Sequence, residues 1–559
     1  MSEDPKVKET GPRAKTTGVV SIAILCSRVL GLIRDQVLTG MFGSFFNGLF
    51  TAAFRTPNML RDLFAEGALS TAFVTTFSKK MKTENDEAAW ALARKMLTLS
   101  LCFMTLVAMA GVALAPWLVR LLNFGWTIKT TEPKTNHLPD GWTLERATEL
   151  TVHLSQVMYP FIAVVSITAL VMGMLNSKKV FFIPAVASAF FNLGCIIGGL
   201  IAAWIIDPSF RETWVVTEKS LTGFAIGTLI GGVMQLAVQI PSLKKVGFTF
   251  GFDFKWKDQG VRDVLHLMWP SVIAASGTQV AVLLNSLFAS CTSGQGSNLT
   301  WLGIAQRLQQ LPLGLFGVAV ATVTLPMLSR LATDGMTPAF RQALAKGLRL
   351  VLFLTVPSAA GMALLGNEIV SLIFERGKFT EYDVQQTTGP LQAAAFGLVF
   401  YACIKVVQPA FYTIGRRFVP MLVSLGIIVF TATVNSITVF VLKWDHTALA
   451  WATAVGLALN FTTLYVCMRK YAGGLETRQL SVSLLRVGGA VAVMAGVCVL
   501  AHYSILAGWK EAGFTIRLAS LSTTIAASGA AYFAAARFLK VEEAREFLSL
   551  LGRRFGRKP

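Results

Sequence analysis

The chain has 559 residues, 54% of them hydrophobic and only 14% charged, against about 25% charged in an average soluble protein. This composition excludes a soluble globular enzyme, and a chain this apolar cannot stay solvated as a disordered polymer. The 50 Lys and Arg against 30 Asp and Glu leave a net charge of +20, but the cations are spread along the whole chain rather than gathered in one soluble segment, which argues against a nucleic-acid partner.

Residues 1–17 are polar and basic, and the apolar run after them carries Arg28 and Arg34 with no small-residue cleavage motif, so a cleaved signal peptide is not expected. A hydrocarbon core about 30 Å thick takes about 20 apolar residues per helical crossing. By that ruler the chain predicts spans at 18–41, 46–76, 91–122, 148–175, 181–206, 221–243, 264–291, 299–329, 342–364, 387–414, 418–442, 447–468, 483–507 and 514–538, fourteen in all. Only helices or closed barrels satisfy every backbone amide in lipid, and runs this long without alternating polarity are helices. The polar loop from Asn123 to Ala147, with Trp126, Pro133, Pro139 and Trp142, predicts a short interfacial element.

Lys and Arg accumulate in cytoplasmic loops. Here they fall at Lys6, Lys8, Arg13 and Lys15, then Lys79, Lys80 and Lys82, then Lys178 and Lys179, then Lys244, Lys245, Lys255 and Lys257. The series continues through Arg330, Arg341 and Lys346, Arg416 and Arg417, and Arg469 and Lys470, to Arg553, Arg554, Arg557 and Lys558. Every even-numbered loop and both ends are basic, which predicts fourteen crossings with both termini cytoplasmic. Much of the net charge is topology.

Sliding the sequence by 252 residues sets Arg55 on Arg307, Asn58 on Gln310, Leu63-Phe64 on Leu315-Phe316 and Ser70 on Thr322. A second match sets Lys178-Lys179 and Pro184 on Arg416-Arg417 and Pro420. Both equate span n with span n+6, the signature of a duplicated transporter bundle. The predicted organisation is a basic segment 1–17, an N-lobe 18–243, a linker 244–263, a C-lobe 264–470, two further spans within 483–538 and a basic tail 539–559.

Some cations are not topology. A charged side chain at mid-membrane costs about 2.5 to 3.5 kcal/mol on insertion scales, so it normally faces a cavity and has a task. Span one holds Arg28, Arg34 and Asp35; span two holds Arg55, Asn58, Arg61, Asp62 and Glu66; span eight starts near Thr300 and holds Gln306, Arg307, Gln309 and Gln310. At about 100° per residue, Arg55, Asn58, Asp62 and Glu66 form one polar stripe, while Arg61 lies about 120° from Arg55 and Arg34 about 120° from Arg28. Converging them requires bends, for which Gly31, Gly40 and Pro57 are the candidates. Asp35, Asp62 and Glu66 are available to pair with the arginines and lock helices together. The guanidiniums still outnumber the carboxylates, a surplus that makes sense if an anionic group neutralises it. Arginine's planar fork of donors suits phosphate oxygens.

Enzyme chemistry finds no support. The five histidines are scattered without metal-ligand spacing, no P-loop motif occurs, and the seven cysteines are isolated in apolar runs, which reads as packing. No metal or organic cofactor is expected.

The segments Ser27-Arg28-Val29-Leu30-Gly31-Leu32-Ile33-Arg34-Asp35 and Pro57-Asn58-Met59-Leu60-Arg61-Asp62-Leu63-Phe64-Ala65-Glu66-Gly67-Ala68 closely resemble the MurJ (MviN) family of bacterial lipid II flippases. Further similarity lies at Arg307-Leu308 with Pro312 and Gly317, at Phe374-Glu375-Arg376-Gly377-Lys378-Phe379-Thr380, and at Lys405-Val406-Val407-Gln408-Pro409-Ala410-Phe411-Tyr412. The resemblance covers nearly the whole chain and implies the multidrug/oligosaccharidyl-lipid/polysaccharide exporter fold, two six-helix lobes plus two C-terminal helices, in the bacterial inner membrane. It assigns substrate-binding roles to Arg28, Arg34, Arg61 and Arg307 in a central cavity, with Asp35 and Glu66 as accompanying acids and Thr300 as a cavity hydroxyl. The residues themselves add Arg55, Asn58 and Asp62. Two departures stand out: Asn47 or Gly48 and Gln306 occupy positions where family members often carry an acid, which places a gate built on those carboxylates in doubt.

The implied function is alternating-access translocation of lipid II, an undecaprenyl-diphosphate bearing a disaccharide-pentapeptide, for cell-wall synthesis, with the lipid tail in a groove near spans 13 and 14. Expected partners are lipid II, membrane lipids and cell-wall synthesis proteins, with the chain acting as a monomer. The drive would be the membrane potential, worth about 2.3 kcal/mol per charge per 100 mV, or a coupled monovalent cation; spans seven and eleven carry no acidic residue for a carboxylate ion site. The competing readings are a drug or polysaccharide exporter of the same superfamily and a non-transporting scaffold for wall synthesis.

Overall fold

The computed structural model describes residues 14–63, 69–127, 138–333 and 335–545, among which all regular structure is helical. The described residues divide into two compact units, one within 14–127 and 138–283, the other within 284–545.

The first unit contains α1 (Ala14–Leu60), α2 (Ser70–Thr83), α3 (Asp86–Leu122), α4 (Phe124–Thr127), α5 (Leu144–Met158), α6 (Phe161–Ser177), α7 (Phe182–Ile206), α8 (Pro208–Thr213), α9 (Glu218–Ala237), α10 (Ile240–Lys245) and most of α11 (Gln259–Ser290). The tightest pairing joins α7 to α9. A Cβ on Gly227 would lie 2.5 Å from the Gly199 Cα, one on Gly231 would lie 2.6 Å from the Phe191 carbonyl, and one on Gly194 would lie 2.7 Å from the Gly231 Cα. Lipid tails are as apolar as Leu, so helices in a bilayer associate through close backbone approach rather than hydrophobic exclusion, and glycines four residues apart permit it.

The turn between these helices is fixed by one carboxylate. Asp207, 1% exposed, follows α7 directly. It accepts hydrogen bonds from the Ser209 and Phe210 amides at 3.1 and 3.4 Å, from the Thr217 hydroxyl at 2.6 Å and from the Ser220 hydroxyl. Burial acts to raise its pKa, but these four donors outweigh it and hold the carboxyl below its ordinary value.

The second unit holds the end of α11, α12 (Gly296–Pro312), α13 (Val318–Ala332), α14 (Pro338–Leu364), α15 (Gly366–Phe374), α16 (Glu381–Thr413), α17 (Phe418–Ser436), α18 (His446–Ala472), α19 (Thr477–Tyr503) and α20 (Phe514–Phe538). Helix α16 is buried along its length, and Trp301 of α12 donates its indole N–H to Asp383 of α16 at 3.0 Å. The two last helices are pinned at both ends. Tyr532 donates to the Phe353 carbonyl at 2.6 Å and Arg349 meets Glu543 at 2.9 Å; elsewhere Arg517 meets Glu375 at 3.3 Å and Trp509 donates to Ser371 at 3.2 Å.

Among the described residues, twelve helices are long and apolar enough to cross a membrane, two fewer than the apolar runs predict. The predicted loop between spans one and two is a single break at Gly43, whose φ of 76° and ψ of 179° suit glycine, so the interval Leu25–Leu63 reads as one helix. Predicted span seven lies within α11, of which only Gln279–Ser290 qualifies, as a shorter apolar helix. The expected bends at Gly31, Gly40 and Pro57 also move: α1 passes through all three, the break falls at Gly43, and a π-helical turn over 61–63 follows the proline. All seven cysteines are free thiols; Cys195, Cys403 and Cys498 are buried, while Cys26 is exposed rather than packed.

Two outcomes follow from the α7–α9 pair. Gly227→Val should lower stability by about 1–3 kcal/mol through overpacking, whereas Gly496→Val, where no atom lies within 4 Å of the added Cβ, should not; thermal melts of detergent-purified protein check this. For Asp207, a folded pKa below the unfolded value near 3.9 means that the stabilisation is complete above that value and is lost as pH falls through the folded pKa. Wild type should therefore lose melting temperature between about pH 5 and pH 3, and Asp207→Asn, about 1–3 kcal/mol less stable at neutral pH, should show a flatter profile.

Candidate functional site

The unusual residues of the first unit lie on α1 and on the π-helical turn that extends it. In this stretch, Leu25–Leu63, the charged residues are Arg28, Arg34, Asp35, Arg55, Arg61 and Asp62: four arginines against two aspartates, with a third acid, Glu66, three residues further along the sequence. Burying a surplus of cations is costly, so how each is held decides what the stretch can do.

Arg34 is paired with its own neighbour. Its Nε and Nη2 donate to Asp35 Oδ1 at 3.2 and 3.0 Å, and its guanidinium lies 5.7 Å from the centre of the Phe191 ring of α7. The pair is largely enclosed, with side chains 17% and 18% exposed. Arg61 repeats the arrangement with Asp62, Nε and Nη2 donating to Oδ1 at 3.2 and 2.8 Å. Asn58, one turn back, reaches the other oxygen of the same carboxylate at 3.5 Å. Arg61 therefore joins the polar stripe of Asn58 and Asp62, although helical angles set its Cα direction about 120° from that of Arg55. The side chain's length and one shared carboxylate close the gap.

Arg55 is held differently. Among the described residues its hydrogen-bond partner is the Val282 carbonyl of α11, 3.3 Å from Nη1, rather than Asp35 or Asp62. Arg28 is exposed on α1, next to Ser27, whose carbonyl accepts from Asn192 of α7 at 3.1 Å. Glu66 lies outside the described residues. Asn47, where an acid is often found in similar sequences, is buried on α1, 9% exposed.

In the second unit, Thr300 is 2% exposed in the first turns of α12, and Arg307 is half-buried two turns later. Gln306 and Gln310 are exposed, while Gln309 is buried and donates to the Ala394 carbonyl of α16 at 2.6 Å. After Pro312 the helix passes into a π-helical segment, Leu313–Gly317. The 252-residue offset that sets Arg55 on Arg307 sets 61–63 on 313–315, so both units carry a π-helical turn at the equivalent place. Such turns are rare and gather at functional sites.

Sequence reasoning missed three contributors. Phe191 faces Arg34, and Asn192 ties α7 to α1; both sit in an apolar run whose one amide was the available signal. The buried Asn435 of α17 donates its side-chain amide to the half-buried Asn285 of α11 at 3.1 Å, joining the two helices. Among the described residues no group of three or more His, Cys, Asp or Glu is placed to hold a metal ion. Guanidinium forks of this kind are able to bind an anion.

Known proteins are similar to this chain over most of its length. The family described as "Lipid II flippase MurJ" matches residues 39–520. A "Probable lipid II flippase MurJ" of Vibrio cholerae serotype O1 is 32% identical over 518 residues, covering 92% of this chain and 94% of the relative. The "Lipid II flippase MurJ" of Burkholderia cenocepacia is 32% identical over 457 residues, covering 81% and 83%. In fold, the chain is similar to a solved lipid II flippase MurJ in an inward closed conformation, with TM-score 0.69, 23% identity and 92% and 98% of the two chains covered. It is also similar to an inward-facing multidrug resistance MATE family transporter of the MOP superfamily, with TM-score 0.60, 15% identity and 82% and 98% covered.

Proposed function

The chain belongs to the lipid II flippase MurJ family, and we infer from that membership and from the arginine surplus on α1 that it carries lipid II across the bacterial inner membrane. It is a multi-pass membrane protein and a transporter, not an enzyme. The observation within the chain that carries the reading is the pair of adjacent Arg–Asp couples, Arg34–Asp35 and Arg61–Asp62, set among further arginines in a helix apolar enough to cross a membrane.

We read α1 as two crossings divided at Gly43 and α11 as a crossing of its own, which brings the twelve candidate spans to fourteen and leaves both termini on the cytoplasmic side with the basic loops. In the empty transporter, Asp35 and Asp62 compensate Arg34 and Arg61, so neither guanidinium is left as an unpaired charge in a low dielectric. An arriving diphosphate offers more oxygens and more charge than one carboxylate, and Arg28, Arg34 and Arg61 engage it while Asn58 holds the Asp62 carboxylate aside. Because the aspartates remain at hand, they reclaim the guanidiniums as the substrate leaves, keeping binding reversible. In the second unit, Arg307, with the Thr300 hydroxyl on the same helix, engages an anionic group of the same substrate.

The return step uses the membrane potential. A diphosphate neutralises the surplus cations on the outward journey, and the emptied site, again positive, is drawn toward the negative interior. Each surplus charge crossing the whole field is worth about 2.3 kcal/mol per 100 mV.

In cells depleted of their own lipid II flippase, wild type should restore growth. Arg28→Ala, Arg34→Ala, Arg61→Ala and Arg307→Ala at equal expression should not, each lowering lipid II translocation about tenfold or more, as expected for loss of a charge-assisted bond of about 1.5–3 kcal/mol. Growth restored by all four variants would instead favour a scaffold. For the energy source, proteoliposomes should lose translocation when the potential is collapsed at constant sodium and keep it when sodium is replaced at constant potential; loss on sodium removal alone would refute the voltage-driven return.

A further inference from the structure

Between α10 and α11 the chain is extended, and aromatics alternate along it: Phe248, Phe250, Phe252, Phe254 and Trp256. The first is buried, its ring 5.4 Å from that of Trp90. The next three are 53%, 75% and 64% exposed, and Phe252 and Phe254 stack with ring centres 6.4 Å apart. Lys244, Lys245, Lys255 and Lys257, all exposed, flank or interleave them. A soluble loop does not leave three phenylalanines in a row uncovered, and interior packing does not explain them either, since only Phe248 enters the core cluster around Trp90.

The segment's depth follows from its attachments to α3. Thr249 accepts from Arg94 at 3.3 Å, the Asp253 amide donates to the Thr98 hydroxyl at 3.0 Å, and Asp258 pairs with Lys95 at 2.8 Å. Further along α3 an outward apolar face runs through Phe103, Leu106, Met109, Leu114, Trp117 and Leu121, all exposed. Phe103 to Leu121 spans about 27 Å at 1.5 Å per residue, which matches a hydrocarbon core of about 30 Å. Thr98 lies five residues, about 7.5 Å, before that band begins, at the depth of the headgroups. Asp258 is neutralised by Lys95; Asp253 keeps its charge, its carboxylate accepting from the Lys255 amide at 2.9 Å, so Lys255 and Lys257 against Asp253 leave the strap with a net positive charge.

We propose that residues 249–257 form an interfacial strap that seats Phe250, Phe252 and Phe254 in the headgroup region of the leaflet beside the basic loops, with Lys255 and Lys257 binding anionic phospholipid headgroups. Aromatic rings favour that zone, and lysines are attracted to an anionic surface. The lipid contact rests on the geometry of the first unit; only naming the leaflet cytoplasmic rests on the orientation proposed above. The strap leads directly into α11, so lipid composition would act on the segment through which the chain leaves the first unit.

The test places benzoylphenylalanine at Phe252 of the full chain, in proteoliposomes of equal parts phosphatidylglycerol and phosphatidylcholine, and identifies photo-adducts by mass. Lipid adducts are expected at a yield comparable to the same label at Trp117 on the exposed face of α3. Phosphatidylglycerol should be favoured about fivefold, the ratio that corresponds to the ~1 kcal/mol of one basic residue at an anionic surface. Lys255→Gln with Lys257→Gln should bring the lipid ratio toward parity while leaving the total yield unchanged. Adducts confined to protein, or no adduct at Phe252 while Trp117 reacts, would overturn the strap, and a ratio at parity with both lysines present would overturn the anionic specificity. None of these readouts involves translocation, so failure here is distinct from failure of the flippase reading.

Discussion

A guanidinium in the hydrocarbon zone must be compensated by something, and the first unit is arranged around that requirement. Arginine cannot discharge by losing its proton, so the protein must bring an oxygen to it. Arg34 and Arg61 take theirs from the next residue in the chain, and Arg55 takes a backbone carbonyl of α11. Compensation from an adjacent residue is available in any conformation of the surrounding helices. A transporter needs that property, because its cations must remain tolerable when the substrate is absent and the helices have moved. A carboxylate on a distant helix would tie charge balance to one conformation.

Such pairs need a firm wall. The α7–α9 contact provides it: glycines at 194, 199, 227 and 231 let two backbones meet where any side chain would hold them apart, and Asp207 fixes the turn joining them. Phe191 and Asn192 on that rigid pair then face α1, one beneath Arg34 and the other bonded to Ser27. The order of dependence runs from backbone packing to helix placement to guanidinium position. A change at Gly227 would reach the arginines without touching them.

Much of this was legible in the sequence. Apolar length gave most spans, because the cost of unsatisfied amides in lipid leaves few alternatives, and the arginines stood out because insertion makes them expensive. The break at Gly43 was not legible, since one residue changing φ leaves no polar loop to read. Asp62 was legible as a carboxylate available to an arginine, but not that it would join Arg61 to Asn58: helical angles describe where a Cα points, and a long side chain at a π-helical turn does not obey them. The glycine spacing of α7 and α9 was present as a signal, at intervals of three to four residues, but glycine also marks turns and bends, and only the structure separates those uses.

The internal repeat sharpens the meaning of the π-helical turns. A single π turn after a proline is an accommodation of the missing amide hydrogen bond. Of the π-helical segments among the described residues, those at 61–63 and 313–317 are related by the same offset that sets Arg55 on Arg307, although Pro57 lies four residues before the first while Pro312 directly precedes the second; the third, Ile437–Val441, falls at the end of α17 and has no counterpart at that offset. Different local sequences arrive at the same widened turn beside an arginine in each unit. A π turn shifts the phase of everything beyond it and leaves backbone carbonyls less well committed, so it lets a helix carry a cation on one side of the turn and pack conventionally on the other. At the 252-residue offset the second unit carries this backbone feature and an arginine, but not the acid: the offset that aligns the arginines sets Asp62 of the first unit on Gly314 of the second. The two units share a scaffold for holding a cation but differ in how they balance it, and that asymmetry gives the first unit the reversible Arg–Asp couples.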